Sequence, residues 1–390
     1  MTMKIVKPTL KNIKRAAHYL NIGELVGIPT ETVYGLAANT FNTEAVLKIF
    51  KTKNRPTFDP LIVHISAKIL KCKNILLELE NNNLICLDTF TQKAKTRAKK
   101  LMLKFWPGPL TLVLPKHNAV PDMVTSGLPT IAIRMPNHKV TQQLLSLIKF
   151  PLAAPSANLF GKISPTTALH VLSELGNNVA MILDGGACPI GIESTVIFVH
   201  PGGQLTLLRP GGLKLSQIEK IANTRVHQKQ RSLEHKNHPS SPGMLESHYA
   251  PKKPLYMLTK SILHLNKKDF KKLKILIKDS LKKTLSTNTN KKNNLPQIGL
   301  LVMRGDAKQK ARKFAIQLGF PVQVKLLSSS GSDQESAKKI FSSLRRLDVS
   351  HTFILFSEPC SNTKGLFHAI ADRLKKAATK VLSMNKLDTN

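Results

Sequence analysis

The 390-residue sequence predicts an α/β protein of two successive domains, and three observations carry that reading. Short apolar runs alternate with stretches of helical spacing through residues 1–213, the pattern of helices packed on one sheet. A second, more regular alternation begins near Leu255 and has the form of a small doubly wound parallel domain. Between them, residues 223–254 are rich in His, Lys, Ser and Pro and lack periodicity. Three segments follow: a first domain over 1–213, a linker over 214–254 and a second domain over 255–390, a division suited to a chain long for a single core.

In the first domain, strands are expected at 24–28, 61–65, 110–114, 130–135, 152–154, 180–183, 194–199 and 205–208. Helices are expected near 43–52, 88–104, 139–148, 167–175 and 215–222. The run Glu24-Leu25-Val26-Gly27-Ile28 is apolar, and Pro29 ends it, so Thr30-Glu31-Thr32-Val33-Tyr34-Gly35 falls at a strand's end. Thr43 is the expected N-cap of the helix that delivers Lys53 and Arg55 at its C-terminal end. Alternation in Thr130-Ile131-Ala132-Ile133-Arg134 puts Thr130, Ala132 and Arg134 on one face. The second domain should contain strands at 254–258, 297–303, 322–327 and 352–356, a lysine-rich helix ending near Lys283, and helices at 306–318, 333–347 and 363–378. Lys283–Asn294, almost all Lys, Asn, Thr and Ser, is expected to be a disordered loop.

No window has the eighteen or so apolar residues of a membrane span, and Met1–Lys11 has no apolar signal core. The four cysteines (Cys72, Cys86, Cys188, Cys360) show no paired metal-ligand spacing, which suits a reducing compartment and makes the cytoplasm the expected location. Net charge is +36, of which +13 lies in residues 1–213 and +23 in 214–390. Such a surface concentrates anions such as ATP or RNA, or is a solvated lysine face. Only 5% of residues are aromatic, so the lysine runs lack the interleaved stacking residues of a single-strand RNA binder.

Lys53 and Arg55, close after a hydroxyl-rich turn, form a two-part anion site suited to phosphate or carboxylate. Thr32 and Tyr34 offer grip for a small polar ligand. Asp59 before Pro60 suits a turn start. His64, in Leu61-Ile62-Val63-His64-Ile65, is by type either a core residue or a proton acceptor near neutral pH. Arg134, among apolar residues, requires a partner. Ala153-Ala154-Pro155-Ser156-Ala157-Asn158 leads through Gly161 and Ser164 to a helix start, where small residues and free amides welcome anions. Trp106, between Phe105 and Pro107, reads as a structural anchor, and Asp184-Gly185-Gly186 as a plain turn. Four histidines in the linker (His227, His235, His238, His248) are spaced too irregularly for a metal cluster.

Thr30–Leu36, Lys53-Asn54-Arg55-Pro56, Pro60–His64, Trp106–Thr111, Pro155-Ser156-Ala157-Asn158 and Gly191–Val196 resemble, in order, the motifs of the YrdC-like domain. Ser241-Pro242-Gly243-Met244 with His248-Tyr249-Ala250-Pro251 resembles the linker of the long, two-domain form of that family, the threonylcarbamoyl-AMP synthases. The resemblance implies a YrdC-like twisted mixed sheet with helices, its concave face holding the site, followed by a small Rossmann-like parallel α/β domain. It further implies condensation of L-threonine, bicarbonate or carbon dioxide, and ATP to threonylcarbamoyl-AMP and pyrophosphate. Magnesium would accompany ATP, and a downstream transferase would use the product to modify adenosine in tRNA.

Residue by residue, the resemblance puts L-threonine at Thr32, His64, Arg134, Ala154 and Ser194, with Ala154 acting through its backbone. It puts ATP at Lys53, Arg55, Asp59, Thr130, Ser156, Asn158, Ser164 and Arg209, and at Tyr249 of a lid formed by the linker. Lys53, Arg55 and His64 are the candidate catalytic groups. At Asp59 the family pattern often has Asn. The alternative from another class is an RNA-binding or ribosome-associated protein that uses the basic surface and makes no adenylate.

Overall fold

A computed structural model describes residues 4–228, 248–287, 295–349, 351–360, 362 and 364–384. The chain divides into two compact units, one of residues 4–160 and 164–228, the other of 161–163 with 248–384.

The first unit is built on a mixed sheet of strands β1 (Ile5–Val6), β2 (Val26–Ile28), β3 (Gly35–Asn39), β4 (Ile62–His64), β5 (Leu110–Pro115), β6 (Thr130–Arg134), β7 (Leu152–Ala153), β8 (Met181–Leu183), β9 (Thr195–Val199), β10 (Leu205–Arg209) and β11 (Val226–Gln228). Their order across the sheet is β1-β8-β2-β3-β7-β4-β6-β5-β9-β10-β11. Helices α1 (Leu10–Asn21), α2 (Thr43–Lys53), α3 (Ile75–Asn81), α4 (Gln92–Phe105), α5 (Asp122–Thr125), α6 (Lys139–Leu147), α7 (Ala168–Leu175) and α8 (Leu215–Ala222) complete it.

The two halves of this sheet are covered differently, and that difference places the site. Around β2 and β3 both faces are buried: Leu25, Leu36 and Ala38 enter the main core with α2, whereas Val26, Ile28 and Ala37 pack on α1 and α6. Around β6, β5 and β9, alternation sends Ile131, Ile133, Leu110, Leu112, Leu114 and Ile197 into the main core. Their neighbours Ala132, Val113 and Val196 turn to the opposite face, where they form a small separate apolar cluster with Ile62 and Leu208. That half-covered face is the floor of the site.

Asn42, not Thr43, caps α2: it is extended (φ −100°) and its side chain accepts the Ala45 N–H at 3.0 Å, whereas Thr43 is already helical. The helix ends at Asn54 in the left-handed region (φ 50°), directly after Lys53. Trp106 is buried as an anchor, its indole N–H donating to Leu110 O at 2.8 Å. Elements absent from the sequence expectations include α1, although Ile13, Ala16, Ala17 and Leu20 bury one stripe at helical spacing behind the N-cap Thr9. β3 escaped because Gly-Leu-Ala-Ala-Asn has no β-branched residue. β11 lies inside the stretch read as linker; residues 229–247, with His235, His238 and the Ser241–Met244 motif, are outside the described residues.

In the second unit β12 (Leu255–Leu258), β13 (Gln297–Val302), β14 (Val322–Leu326), β15 (Thr352–Ser357) and β16 (Lys380–Leu382) form an all-parallel sheet of order β14-β13-β15-β12-β16. The helices are α9 (Lys267–Thr287), α10 (Ala307–Leu318), α11 (Asp333–Leu347) and α12 (Phe367–Ala377). α9 runs past Lys283, so the helix occupies part of the expected loop, and residues 288–294 lie outside the described ones. Among the described residues no helix is long and apolar enough to cross a membrane.

Ile133 is fully buried in the middle of β6, so Ile133→Ala should destabilise the first unit by about 2–5 kcal/mol. A lowered urea midpoint of that unit's unfolding transition is the expected result; an unchanged midpoint would contradict this packing.

Candidate active site on the half-covered sheet face

From β4 across β6 and β5 to β9 and β10, the floor grades from polar to apolar. His64 pairs in register with Arg134, and Arg134 with Thr111. Thr111 and Ser194 share a hydroxyl hydrogen bond of 2.7 Å, and Arg209 Nη2 donates to Ser194 Oγ at 3.1 Å. Next comes the apolar strip of Ile62, Ala132, Val113, Val196 and Leu208. Beyond it lies a cavity of about 410 Å3 lined by Thr130, Phe198, His200, Thr206, Leu208 and others. His200 stacks on Phe198 with ring centroids 4.2 Å apart and hydrogen-bonds Thr206 Oγ1 at 2.8 Å.

Loops from the other strands complete the polar end. Thr30 Oγ1 organises the turn after β2: it donates to Val33 O at 2.6 Å, accepts the Val33 N–H at 3.2 Å and lies 2.9 Å from Thr32 Oγ1. Thr32 is thereby held fully buried. Tyr34 is a different case from the expected ligand grip. Its hydroxyl donates to Gly186 O at 2.7 Å and accepts Gly185 N–H at 3.1 Å, and burial pushes its pKa up. The Asp184-Gly185-Gly186 turn is thus latched to Tyr34 rather than being a plain turn.

Arg134 finds its partner within the chain: Nη2 lies 2.7 Å from Glu31 Oε1, and both side chains are buried. His64 is buried with Nδ1 3.2 Å from Ile62 O, which assigns the ring proton to Nδ1 and leaves the Nε2 lone pair. Burial first, and the Arg134 charge second, push its pKa down to about 3, so the imidazole is neutral.

Lys53 at the end of α2 is buried, and its ammonium donates to Ser156 O at 2.6 Å and to Asn158 O, tying the 156–158 loop to the helix. Burial, then the charge of Arg55, holds its pKa well below the usual lysine range. Arg55 makes a buried ion pair with Asp59 at 2.8 Å and donates to Asp59 O and Pro60 O at 3.0 and 2.7 Å. Burial raises the Asp59 pKa, while the charges of Arg55, Lys53 and Arg209 oppose the rise. Ser164 Oγ donates to Glu193 Oε1 at 2.5 Å. Ala154 is buried and donates its amide to Ile62 O at 2.9 Å. Gly211 is required by close approach: a Cβ there would lie 2.3 Å from the Ser194 carbonyl carbon.

Thirteen of the fourteen expected site residues thus belong to the first unit, with Thr130 at the cavity and the rest at or beside the polar end. Tyr249 belongs to the second unit. It is 1% exposed, stacked on Phe341 at 5.4 Å and covered by the Arg373 guanidinium 5.2 Å from its ring centre. Sequence reasoning missed Glu31, Thr111 and Glu193 as site groups. Each sits inside a recognised motif, and period-2 spacing of Thr111 with Val113 was the available signal for one of them.

Residues 18–211 match the Sua5, YciO and YrdC family model, described as "Telomere recombination", and residues 213–379 match the C-terminal domain model of threonylcarbamoyl-AMP synthase. A threonylcarbamoyl-AMP synthase of Pyrococcus abyssi is 35% identical over 94% of this chain and 94% of its own length. One of Bacillus subtilis is 45% identical over 62% of this chain and 65% of its own. The crystal structure of P. abyssi Sua5 complexed with L-threonine is similar with a TM-score of 0.75 and 32% identity, over 98% of this chain and 99% of that one. With both family models matched in succession and relatives aligned from end to end, this chain belongs to the threonylcarbamoyl-AMP synthase family in its two-domain form.

Proposed function

We propose that this chain is a nucleotidyltransferase that condenses L-threonine, bicarbonate or carbon dioxide, and ATP into threonylcarbamoyl-AMP, releasing pyrophosphate. The observation that carries the reading is one sheet face with a cluster of buried cations and hydroxyls at one end and an aromatic-walled cavity at the other, joined by an apolar floor.

The reaction needs two reactants held in line. Threonine's ammonium gives up a proton, the free amine adds to carbon dioxide (from bicarbonate with loss of water) and releases a second proton to water to become a carbamate, and a carbamate oxygen attacks the α-phosphorus. The new P–O bond forms as the bond to the β-phosphate oxygen breaks, and pyrophosphate leaves. Arg134 holds the threonine carboxylate; Thr32, Ser194 and the Ala154 backbone shape its pocket. His64 Nε2 accepts a hydrogen bond from a substrate N–H or O–H, a role its neutral state suits. The ATP phosphates lie against Lys53, Arg55, Ser156, Asn158 and Ser164, with Arg209 between phosphate and threonine ends, and the base enters the cavity at Thr130. A polyphosphate arriving beside Lys53 restores the proton affinity that burial and Arg55 take away. Developing phosphate charge then meets preorganised cations.

Magnesium would accompany ATP on phosphate oxygens and water. The carboxylates here are engaged, Asp59 by Arg55, Glu31 by Arg134 and Glu193 by Ser164, so they supply no dedicated cage. A cytoplasmic transferase would take the labile adenylate and modify tRNA adenosine.

Purified protein with ATP, magnesium and bicarbonate should release pyrophosphate only when L-threonine is present. Arg55→Ala/Asp59→Asn, paired so that no buried carboxylate is stranded, should lower that rate by roughly two to three orders of magnitude. Threonine-independent release, or none from folded protein, would overturn the assignment.

For His64, the folded pKa lies below the usual 6.5, so the unfolded state binds the proton first as pH falls. Its contribution to stability is complete above 6.5 and lost progressively from 6.5 toward 3. NMR should therefore show no His64 ring titration between about pH 8 and 5, and His64→Gln should flatten the stability loss in the lower window. A ring that titrates near 6.5 would rule out the buried neutral state.

A further inference from the structure

We propose that Glu31 binds the α-ammonium group of L-threonine, so that Glu31 and Arg134 together form a clamp that reads the substrate as a zwitterion. The proposal rests on the functional reading above and deepens it.

Glu31 is pinned rather than free to swing. Its carboxylate reaches Arg134 Nη2 through Oε1 at 2.7 Å and accepts the Asn137 N–H through Oε2 at 3.0 Å, while its carbonyl accepts the Ile190 N–H at 2.9 Å. Arg134 also donates Nε to Gly108 O at 3.4 Å; among the described residues its Nη1 has no hydrogen-bond partner. A fixed anion and a fixed cation thus sit side by side, with donor capacity left on the cation. In an α-amino acid the nitrogen and the carboxylate oxygens lie roughly 3 Å apart by covalent geometry. A carboxylate taken by Arg134 therefore carries its ammonium to within reach of Glu31.

Charge accounting favours the same assignment. An ammonium brought beside Arg134 alone would be repelled, and Glu31 is the carboxylate in contact with Arg134 among the described residues. His64 is neutral, and burial pushes the Cys188 thiol up to about 12. Asp59 is paired with Arg55 at the phosphate end, and Glu193, bonded to the Ser164 hydroxyl, contacts Ser164 rather than Arg134. A zwitterion set on the Glu31–Arg134 pair adds no net charge to a buried place, which avoids the cost of burying an unpaired ion. The alternative is that Glu31 only props the guanidinium.

Glu31→Gln separates the two, because glutamine keeps an oxygen acceptor of the same reach and removes the charge. Calorimetric titration of the full chain would use L-threonine and 3-hydroxybutyrate, which lacks the amine, the latter by competition where its own heat is too small. Wild type should prefer threonine. The variant should bind threonine about 10- to 100-fold more weakly, with 3-hydroxybutyrate unchanged or tighter because Arg134 has lost its partner charge, so that the preference collapses. Glu31→Asp, which keeps the charge one methylene further back, should bind threonine less tightly and retain the preference; this arm decides the matter if the glutamine variant does not fold. Equal weakening of both ligands, or no change for threonine, would overturn the ammonium role. Wild type that binds no threonine at all would instead overturn the functional reading, and the clamp with it.

Discussion

A guanidinium buried on the open face of a central strand is the constraint around which the first unit is arranged. Arg134 sits opposite Ile131 and Ile133 on the pleat, so core packing of those residues fixes where its charge emerges. Removing that charge from water is costly unless it is paired, and Glu31 supplies the pair from the turn after β2. The demand propagates. Holding Glu31 requires the Thr30 turn, and that turn leads to Tyr34, whose hydroxyl fastens the 184–186 turn. Two segments far apart in sequence, 30–34 and 184–186, are thereby tied to one strand through polar contacts.

The same logic recurs at the phosphate end with different chemistry. Lys53 reaches the core edge because α2 stops at Asn54, and its ammonium takes two loop carbonyls in place of water. Arg55 answers Asp59 only four residues on, a local pair that makes the turn before β4 self-sufficient. Arg209 takes the Ser194 carbonyl and hydroxyl and needs the bare Cα of Gly211 nearby. These donors are oriented before any anion arrives, which is the property electrostatic catalysis requires. Their cost is carried by the sheet and its helices.

Much of this was legible in the sequence, and the reasons differ by residue. Strands such as β6 announce themselves because one face is buried and the period is two, and the domain alternation survives even where boundaries shift by a residue or two. Lys53 and Arg55 were legible as an anion site from a helix end followed by Pro56. Glu31 was not, because a carboxylate in a turn has an adequate local explanation, and its partner lies 103 positions away on another strand. β3 was hidden by its composition, and Tyr34 by its type: a tyrosine in a ligand-like motif suggests contact, whereas here its hydroxyl fastens a neighbouring turn. The basic excess of the second half marks a surface and says little about chemistry, and a buried carboxylate of that unit is met by donors of the unit itself. That group, Glu358, accepts from Ser261, Ile262, Met303 and Lys310 at the carboxyl ends of the parallel strands.

That last cluster bears on how the two α/β units differ. A parallel sheet whose chain reverses direction opens a crevice at its carboxyl edge, the usual seat of a nucleotide. In the second unit β13 and β15 are the neighbours at that reversal, and the Glu358 carboxylate there accepts from Met303 and Lys310 as well as Ser261 and Ile262. The first unit makes the opposite choice. Its corresponding donors, Arg134 beside Glu31 and Lys53 on carbonyls, face a sheet left half uncovered. Fold class alone would nominate the second unit for nucleotide; the cluster of cations and hydroxyls on one sheet face nominates the first.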